Sequence, residues 1–406
     1  MPTPSSTTIL RRRLAAAGLL TVVVGVAAFA GTRGSDPAKT AAAPAPTEVA
    51  AVDAGPAAAA SGPVDAITLP AQPPGGLYDG KRPPQFVLIS FDGAADQTLL
   101  DRWDIVAHQV KAHFSFFLSM VYLLSDSNAQ IYQGPRHPAG TSAINFAPIP
   151  AADKATPGLW IGNMVRGLQK AQREGHELGN HYGGHWCGPT GVKTWTKADW
   201  AAELNQVESL ISSVDANNKI DPPVGNPFIT GLPIGSRTPC LEGDLKQLYP
   251  VLKARGYRYD ASSTRALTEW PVQRQGLWSF GFPSVQIAGS PKPMLTVDFS
   301  LWANLADSKD VTVERAKQIE DAVYDGYLAG FQQVYTGNRA PFELSNHFVH
   351  YSHDAFNNAL QRLAETVCGK PEVICVNYRE MSDFMDAHAS QIKDFEAGKF
   401  PKMAQG

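Results

Sequence analysis

Residues 86–94 read Phe-Val-Leu-Ile-Ser-Phe-Asp-Gly-Ala, with Pro84 just before the run and Gly93 near its end. A short apolar run bounded by breakers is the pattern of a strand buried on both faces, as strands of parallel sheets are. Asp92 then falls just past the C-terminal end of that strand. Working outward, further short strands are expected at residues 175–179, 257–262 and 373–376, the last followed by a helix from about Arg379. Amphipathic helices are expected at residues 197–214, where Trp200, Leu204, Val207 and Ile211 share a face, and at 313–334. Strands alternating with helices predict an α/β fold with a parallel sheet or barrel. Functional side chains then collect on the loops after the strands' C-terminal ends.

The N-terminus has a different character. Arg11, Arg12 and Arg13 precede an uncharged apolar run that ends in Ala28, Phe29, Ala30 and Gly31. A basic cluster, an apolar run and a small-x-small ending predict export, by a cleaved signal or an uncleaved anchor over residues 1–31. Residues 32–76 are Ala-, Pro-, Thr- and Gly-rich with few large apolar side chains, so they read as a disordered linker. Residues 77–400 then form a single domain, expected to be monomeric and to meet a membrane only through the N-terminal segment. The 406 residues carry 35 Lys and Arg against 38 Asp and Glu, a net charge of −3. That balance gives no footprint for nucleic acid and favours a neutral or polar polymer as partner.

Within the domain, His181 and His185 stand four apart in Gly-His-Glu-Leu-Gly-Asn-His-Tyr-Gly-Gly-His, residues 175–185. On a helical turn that spacing puts two imidazoles on one side, where they can share a zinc-like ion. Taken alone, the pair is a weak motif in a chain with ten histidines. Its company is more specific. Ser-Phe-Asp-Gly-Ala at 90–94 precedes it, and three phrases follow: Gly-Ser-Arg-Thr-Pro-Cys-Leu-Glu-Gly-Asp from Gly235, Tyr-Arg-Tyr-Asp-Ala-Ser-Ser from Tyr257, and Asn-Arg-Ala-Pro-Phe-Glu-Leu-Ser-Asn-His ending at His347.

In order and spacing this set resembles the polysaccharide deacetylase family (NodB homology, carbohydrate esterase family 4), its later segments looking most like the chitin deacetylase branch. The resemblance implies a distorted (β/α) barrel that hydrolyses N-acetyl groups on N-acetylglucosamine polymers such as chitin or peptidoglycan, with a bound divalent ion, zinc or else cobalt. It casts His181 and His185 as metal ligands, Asp92 as general base, His347 as the acid that protonates the departing amine, and Arg237 as the residue that orients the base. Asp260 is matched as a partner of Arg237, Cys240 as the donor of a main-chain N–H to the oxyanion, and Trp270 as a sugar-stacking ring or else a core residue.

These residue types suit the chemistry. Amide hydrolysis needs a deprotonated water, a stabilised oxyanion and a proton for nitrogen. A divalent ion supplies the first two, a carboxylate takes the water's proton and an imidazole gives one to the amine.

The chain departs from the family at Gly93, which stands where the family has a metal-binding aspartate, so the implied Asp-His-His set is incomplete. Three arrangements are open: Asp92 itself on the metal, Asp96 reaching in from the same loop, or a metal-free protein that only binds glycans. Tyr182 also replaces a small hydroxyl residue that usually supports the histidine loop. A metal-dependent phosphodiesterase, with a similar opening phrase, ranks third because the chain lacks the Asp-His dipeptide that class requires. Four cysteines in an exported chain imply disulfides. Cys368 with Cys375 and Cys187 with Cys240 is one pairing, and others are possible. Residues 125–160, rich in Pro, Ala, Gly and Asn, read as a long loop that shapes a substrate groove.

Overall fold

The computed structural model describes residues 82–401. The signal or anchor expected at 1–31 and the linker at 32–76 lie outside the described residues. Among those described, no helix is long and apolar enough to cross a membrane.

The strand read at 86–91 is β1 (Gln85–Gly93), which pairs with three others in a nine-stranded sheet. It extends two residues further than expected, so Asp92 sits on the strand rather than beyond it. The other strands of that sheet are β2 (Ser115–Leu118), β3 (Glu177–Asn180), β4 (Gly235–Ser236), β5 (Tyr259–Thr264), β6 (Val272–Arg274), β7 (Leu277–Phe282), β10 (Phe342–His347) and β11 (Val373–Cys375). A separate antiparallel pair joins β8 (Ser284–Val285) to β9 (Met294–Leu295). The large sheet runs β10-β1-β2-β3-β4-β5-β7-β6, all parallel except the hairpin of β6 and β7. One edge of β1 is shared: β11 pairs with its start at Gln85–Val87 and β2 with its end at Ser90–Gly93, while β10 takes the opposite edge.

Helices cover the outside: α1 (Gln97–Val110), α2 (Pro157–Arg173), α3 (Lys197–Ser212), α4 (Val214–Asn218), α5 (Leu245–Ala254), α6 (Asp298–Leu305), α7 (Val313–Thr336), α8 (Ala355–Val367), α9 (Tyr378–Ala387) and α10 (Ile392–Glu396). Their apolar faces meet the outer face of the sheet. Phe91, for example, packs between Trp103 of α1 and Phe114, Phe116 and Phe348. Element ends moved by a few residues from expectation for local reasons. Strand β3 starts at Glu177 rather than Gly175 because Gly175, at φ +95°, makes the turn out of α2. Residues 125–160 are not one open loop, since they hold short 3-10 helices at Asp126–Ile131 and Ala151–Asp153 before α2.

The period-two alternation of β1 and β10 turns Ser90, Asp92, Glu343, Ser345 and His347 toward the interior. There the sheet curls round the wholly buried Arg237, which stands just after β4. Its Nη1 donates to Asp92 Oδ1 (2.7 Å) and Ser345 Oγ (2.9 Å), its Nη2 to Ser90 Oγ (2.9 Å) and Tyr378 Oη (3.1 Å), and its Nε to the Ala261 carbonyl (3.1 Å). Its guanidinium carbon lies over the rings of Phe117 (4.2 Å) and Phe282 (4.6 Å). One side chain thus touches β1, β2, β5, β7 and β10, which requires the curled, distorted barrel expected from the sequence.

Closure between β7 and β10 uses no ladder. Thr296 spans the gap: its N–H donates to the Pro283 carbonyl just after β7, its Oγ1 to the Glu343 carbonyl of β10, and its own carbonyl accepts from Ser345 N–H. Arg265, just after β5, adds an ion pair to Glu343 (2.9 Å).

Removing one partner of a buried ion pair leaves an uncompensated charge. Arg237→Met is therefore expected to lose about 3–5 kcal/mol of unfolding free energy in urea titrations. A loss under about 1 kcal/mol would show that the arginine does not hold the strands together.

Candidate active site

Asp92 and His347 are direct register partners on adjacent strands β1 and β10, so their side chains emerge side by side at the C-terminal end of the barrel. Their surroundings tune them in opposite directions. Burial pushes the Asp92 carboxyl up, but the charge and hydrogen bond of Arg237, with His181 and His347, hold it below the usual carboxylate range. Burial pushes the His347 imidazole down, and Asp298 reverses this. His347 Nδ1 lies 2.6 Å from Asp298 Oδ1 and His347 N–H donates to Asp298 Oδ2 (2.7 Å), so the imidazole is raised to about 9. The base candidate is ionised and the acid candidate protonated at neutral pH.

Asp298 was not singled out in the sequence. It opens α6, where a first-turn acid reads as an ordinary helix feature, and only the fold brings it 49 residues back to His347.

His181 and His185 lie close together, their ring centroids 5.0 Å apart, but not on a helical turn. Residues 181–185 form a loop in which Tyr182 and His185 take left-handed backbone, φ 61° and 54°. His181 Nδ1 donates to the Arg237 carbonyl (2.8 Å), which leaves the Nε2 lone pair; that atom is buried and has no partner. Burial lowers His181, and burial with His181 and His347 nearby takes His185 down to about 3. Both rings are thus neutral and able to donate lone pairs to a divalent ion.

The third ligand is where the fit is incomplete. The donor atoms of Asp92, His181 and His185 do not all lie within 4.8 Å of one another. Asp96 does not supply the lack. It caps α1, its Oδ1 accepting from Thr98 N–H (2.8 Å), Thr98 Oγ1 (2.6 Å) and Leu99 N–H (3.1 Å). At Gly93 a Cβ would sit 3.8 Å from Tyr122 Cε2 and 3.9 Å from Phe348 Cβ, an ordinary contact, but φ is +101°. An aspartate there would be held in backbone that costs an L-residue about 1–3 kcal/mol. His185 also lies beside Cys187 and Cys240, but those sulfurs are joined to each other and offer no thiolate. A separate His/Asp/Glu group, Asp104, His108 and Glu174, already holds the Lys170 ammonium, 2.7 Å from Asp104.

Two sequence expectations, for Asp260 and Tyr182, need correction, and of the two roles open to Trp270 the structure shows the core one. Asp260 makes no hydrogen bond to Arg237. Its carboxylate accepts from Ser236 Oγ (3.1 Å), Ser262 Oγ (2.8 Å) and Ser262 N–H (3.2 Å), and burial pushes it up to about 6. Trp270 is a core residue, 1% exposed, with its Nε1 donating to the Asn338 carbonyl and its ring against Phe395, so no face is free for a sugar. Tyr182 does not leave its loop unsupported: its ring packs into a second core against Trp200, and its hydroxyl donates to Ser236 Oγ (3.3 Å).

Cys240 is exposed at φ 55° in the turn after Arg237, and it is bonded to Cys187. This disulfide ties the histidine loop to the arginine loop, and Cys368–Cys375 is the second.

No family model matches the chain, and no curated protein matches it. Among solved structures, those it resembles include polysaccharide deacetylases and other carbohydrate esterase family 4 proteins. One, from Mycobacterium smegmatis and described as a putative polysaccharide deacetylase, is 12% identical, with 81% of this chain and 96% of that one covered at a TM-score of 0.45. A peptidoglycan deacetylase from Bacillus subtilis is 12% identical over 77% of this chain and 97% of its own, TM-score 0.36. A carbohydrate esterase family 4 pseudoenzyme from Bacillus anthracis is 10% identical over 74% and 66%, TM-score 0.37.

The tuning of His347 can be measured. Its folded-state value lies above that of an unfolded histidine, about 6.5. The pair with Asp298 therefore stabilises the fold fully below that value, and the contribution is lost as pH rises through about 9. Histidine NMR titration should place the His347 midpoint near 9 and move it back toward the ordinary histidine range in Asp298→Asn. A midpoint at or below about 6.5 in the parent protein would refute the assignment.

Proposed function

We propose that this protein hydrolyses N-acetyl groups on an N-acetylglucosamine-containing polysaccharide, either chitin-like or peptidoglycan. The observation that carries the reading is the adjacent, oppositely tuned pair: Asp92 ionised against Arg237 and His347 protonated against Asp298. Two titratable groups driven apart by their surroundings mark a base and an acid.

Asp92, fixed by Arg237, accepts a proton from the water that attacks the acetyl carbonyl. His347, already carrying its proton, delivers it to the amide nitrogen as the C–N bond breaks, so acetate leaves and a free amine stays on the sugar. Asp298 keeps the imidazolium oriented and charged until that transfer. His181 and His185 would hold a divalent ion, zinc or cobalt, which when bound polarises the carbonyl and makes the attacking water more acidic. The motif order from Asp92 through His347 supports the polysaccharide deacetylase family as the source of this chemistry. The N-terminal sequence supports an exported protein acting on a cell-envelope glycan, and the two disulfides suit an oxidising compartment.

A second reading is favoured by one observation. With Gly93 in left-handed backbone and Asp96 spent on a helix cap, no carboxylate stands in the family's third ligand position. A protein so built would bind the glycan without cleaving it.

Acetate release from N-acetylglucosamine oligomers and from peptidoglycan, with and without added zinc or cobalt, separates the two. Metal-dependent release that falls about 10²–10⁴-fold in Asp92→Asn and in His347→Ala is the result expected of the hydrolase. Retained oligomer binding with no release under any metal would mean a glycan-binding protein.

A further inference from the structure

The loop that carries His181 and His185 is braced by side chains that neither the chemistry nor the motifs require. Part of the support is from nearby backbone and strand ends: Tyr182 N–H donates to Asn180 Oδ1 at the end of β3 (2.7 Å), and the Tyr182 carbonyl accepts from the N–H of Met120, just after β2 (2.7 Å). More comes from the 125–160 segment and from α3, with the Gly184 carbonyl accepting from Ala143 N–H (2.8 Å) and Ser142 Oγ (3.1 Å). Gly183 N–H donates to Glu203 Oε1 (2.8 Å), and Gly184 N–H donates to Tyr132 Oη (2.8 Å). The Tyr132 hydroxyl in turn donates to the Glu203 carboxylate, 3.0 Å from each oxygen. Both side chains are completely buried.

The Gly-Gly sequence is what lets them approach. A Cβ at Gly183 would fall 2.5 Å from Tyr132 Cε2 and 2.8 Å from Glu203 Oε1, and one at Gly184 would fall 2.8 Å from Tyr132 Cε1. A carboxylate in the core is costly unless its oxygens are bonded. Glu203 sits on α3 among Trp200, Leu204 and Val207, where an apolar side chain would pack without that cost. The bonds it makes are to the histidine loop and to the tyrosine that also holds that loop.

We infer that Tyr132 and Glu203 are positioning residues that fix the backbone between His181 and His185 and so set where the two imidazoles point. They replace the support that the family resemblance places at residue 182, where Tyr182 is instead turned into the second core. Tyr132 comes from the 125–160 segment, which is thereby part of the histidine site as well as its surroundings. The inference rests on the proposed function only in taking those two histidines as the metal-holding pair.

The test uses the full chain with Tyr132→Phe, Glu203→Leu and Glu203→Gln. Tyr132→Phe keeps the ring and removes the acceptor for Gly184. Glu203→Gln keeps an oxygen for Gly183 and serves as the conservative rescue. Cobalt titration followed by its visible absorption should show affinity weakened about 10–100-fold in Tyr132→Phe and Glu203→Leu and largely kept in Glu203→Gln. Melting temperature should stay near that of the parent in Tyr132→Phe. Amide hydrogen exchange at Gly183 and Gly184 should speed up in the same two variants, whether or not metal is present.

Folded variants with parent-like cobalt affinity and parent-like exchange overturn the inference, as does a Tyr132→Phe that fails to fold, which would make the pair a general support of the core. If Glu203→Leu alone fails to fold, Tyr132→Phe decides. If the parent binds no cobalt, the hydrolase reading loses its metal, and exchange at the two glycines still decides whether the pair holds the loop.

Discussion

The structure is organised round one buried cation. Placing the Arg237 guanidinium inside the barrel costs several kcal/mol unless its donors are met and its charge is paired. The fold meets that demand with a carboxylate, three hydroxyls and a carbonyl drawn from three strands and a helix, and with aromatic faces on two sides. Each partner is thereby fixed relative to the others. Asp92 is held ionised by the charge and the direct hydrogen bond of the arginine. The Arg237 carbonyl, pointing the other way, sets the tautomer of His181. One residue thus couples the shape of the barrel to the protonation of its candidate base and to the free lone pair of a candidate ligand.

The acid side is built differently. His347 is aimed by Asp298, which lies on α6 and not on a barrel strand, and the pair meets Asp92 only because β1 and β10 are in register. Low dielectric makes both tunings effective, since a carboxylate beside an imidazolium interacts far more strongly there than in water. At residue 93 the backbone has turned left-handed and Ala94 follows at φ 47°. The departure from the family is therefore a change of loop path as much as of one side chain.

What the sequence made legible followed periodicity and punctuation. The apolar run at Phe86 marked β1, and the face shared by Trp200, Leu204, Val207 and Ile211 marked α3. Residues whose roles depend on distant partners were not legible. Nothing local distinguishes Asp298 from any acid in a first helical turn, or Asp96 as a cap from Asp96 as a ligand. Trp270 gives no sign in sequence of which way its ring faces. The spacing of His181 and His185 fits a helical turn, but two glycines and two left-handed residues between and at them bring the rings together by another path. One signal was there to be read: Glu203 lies three residues after Trp200 and one before Leu204, a charge on the buried face of an amphipathic helix, which requires a partner.

The closure of the barrel has a consequence for its motions. Between β1 and its neighbours the strands are joined by continuous ladders, whereas β7 and β10 share no ladder and meet through Thr296, the Val297–Ser345 bridge and side chains such as the Arg265–Glu343 pair. Few backbone bonds have to break for that seam to part, which favours local opening there. Asp298 follows the seam directly in sequence and His347 lies on its other side. Breathing of the wall would separate the acid from the group that charges it, while leaving Asp92 and Arg237 joined.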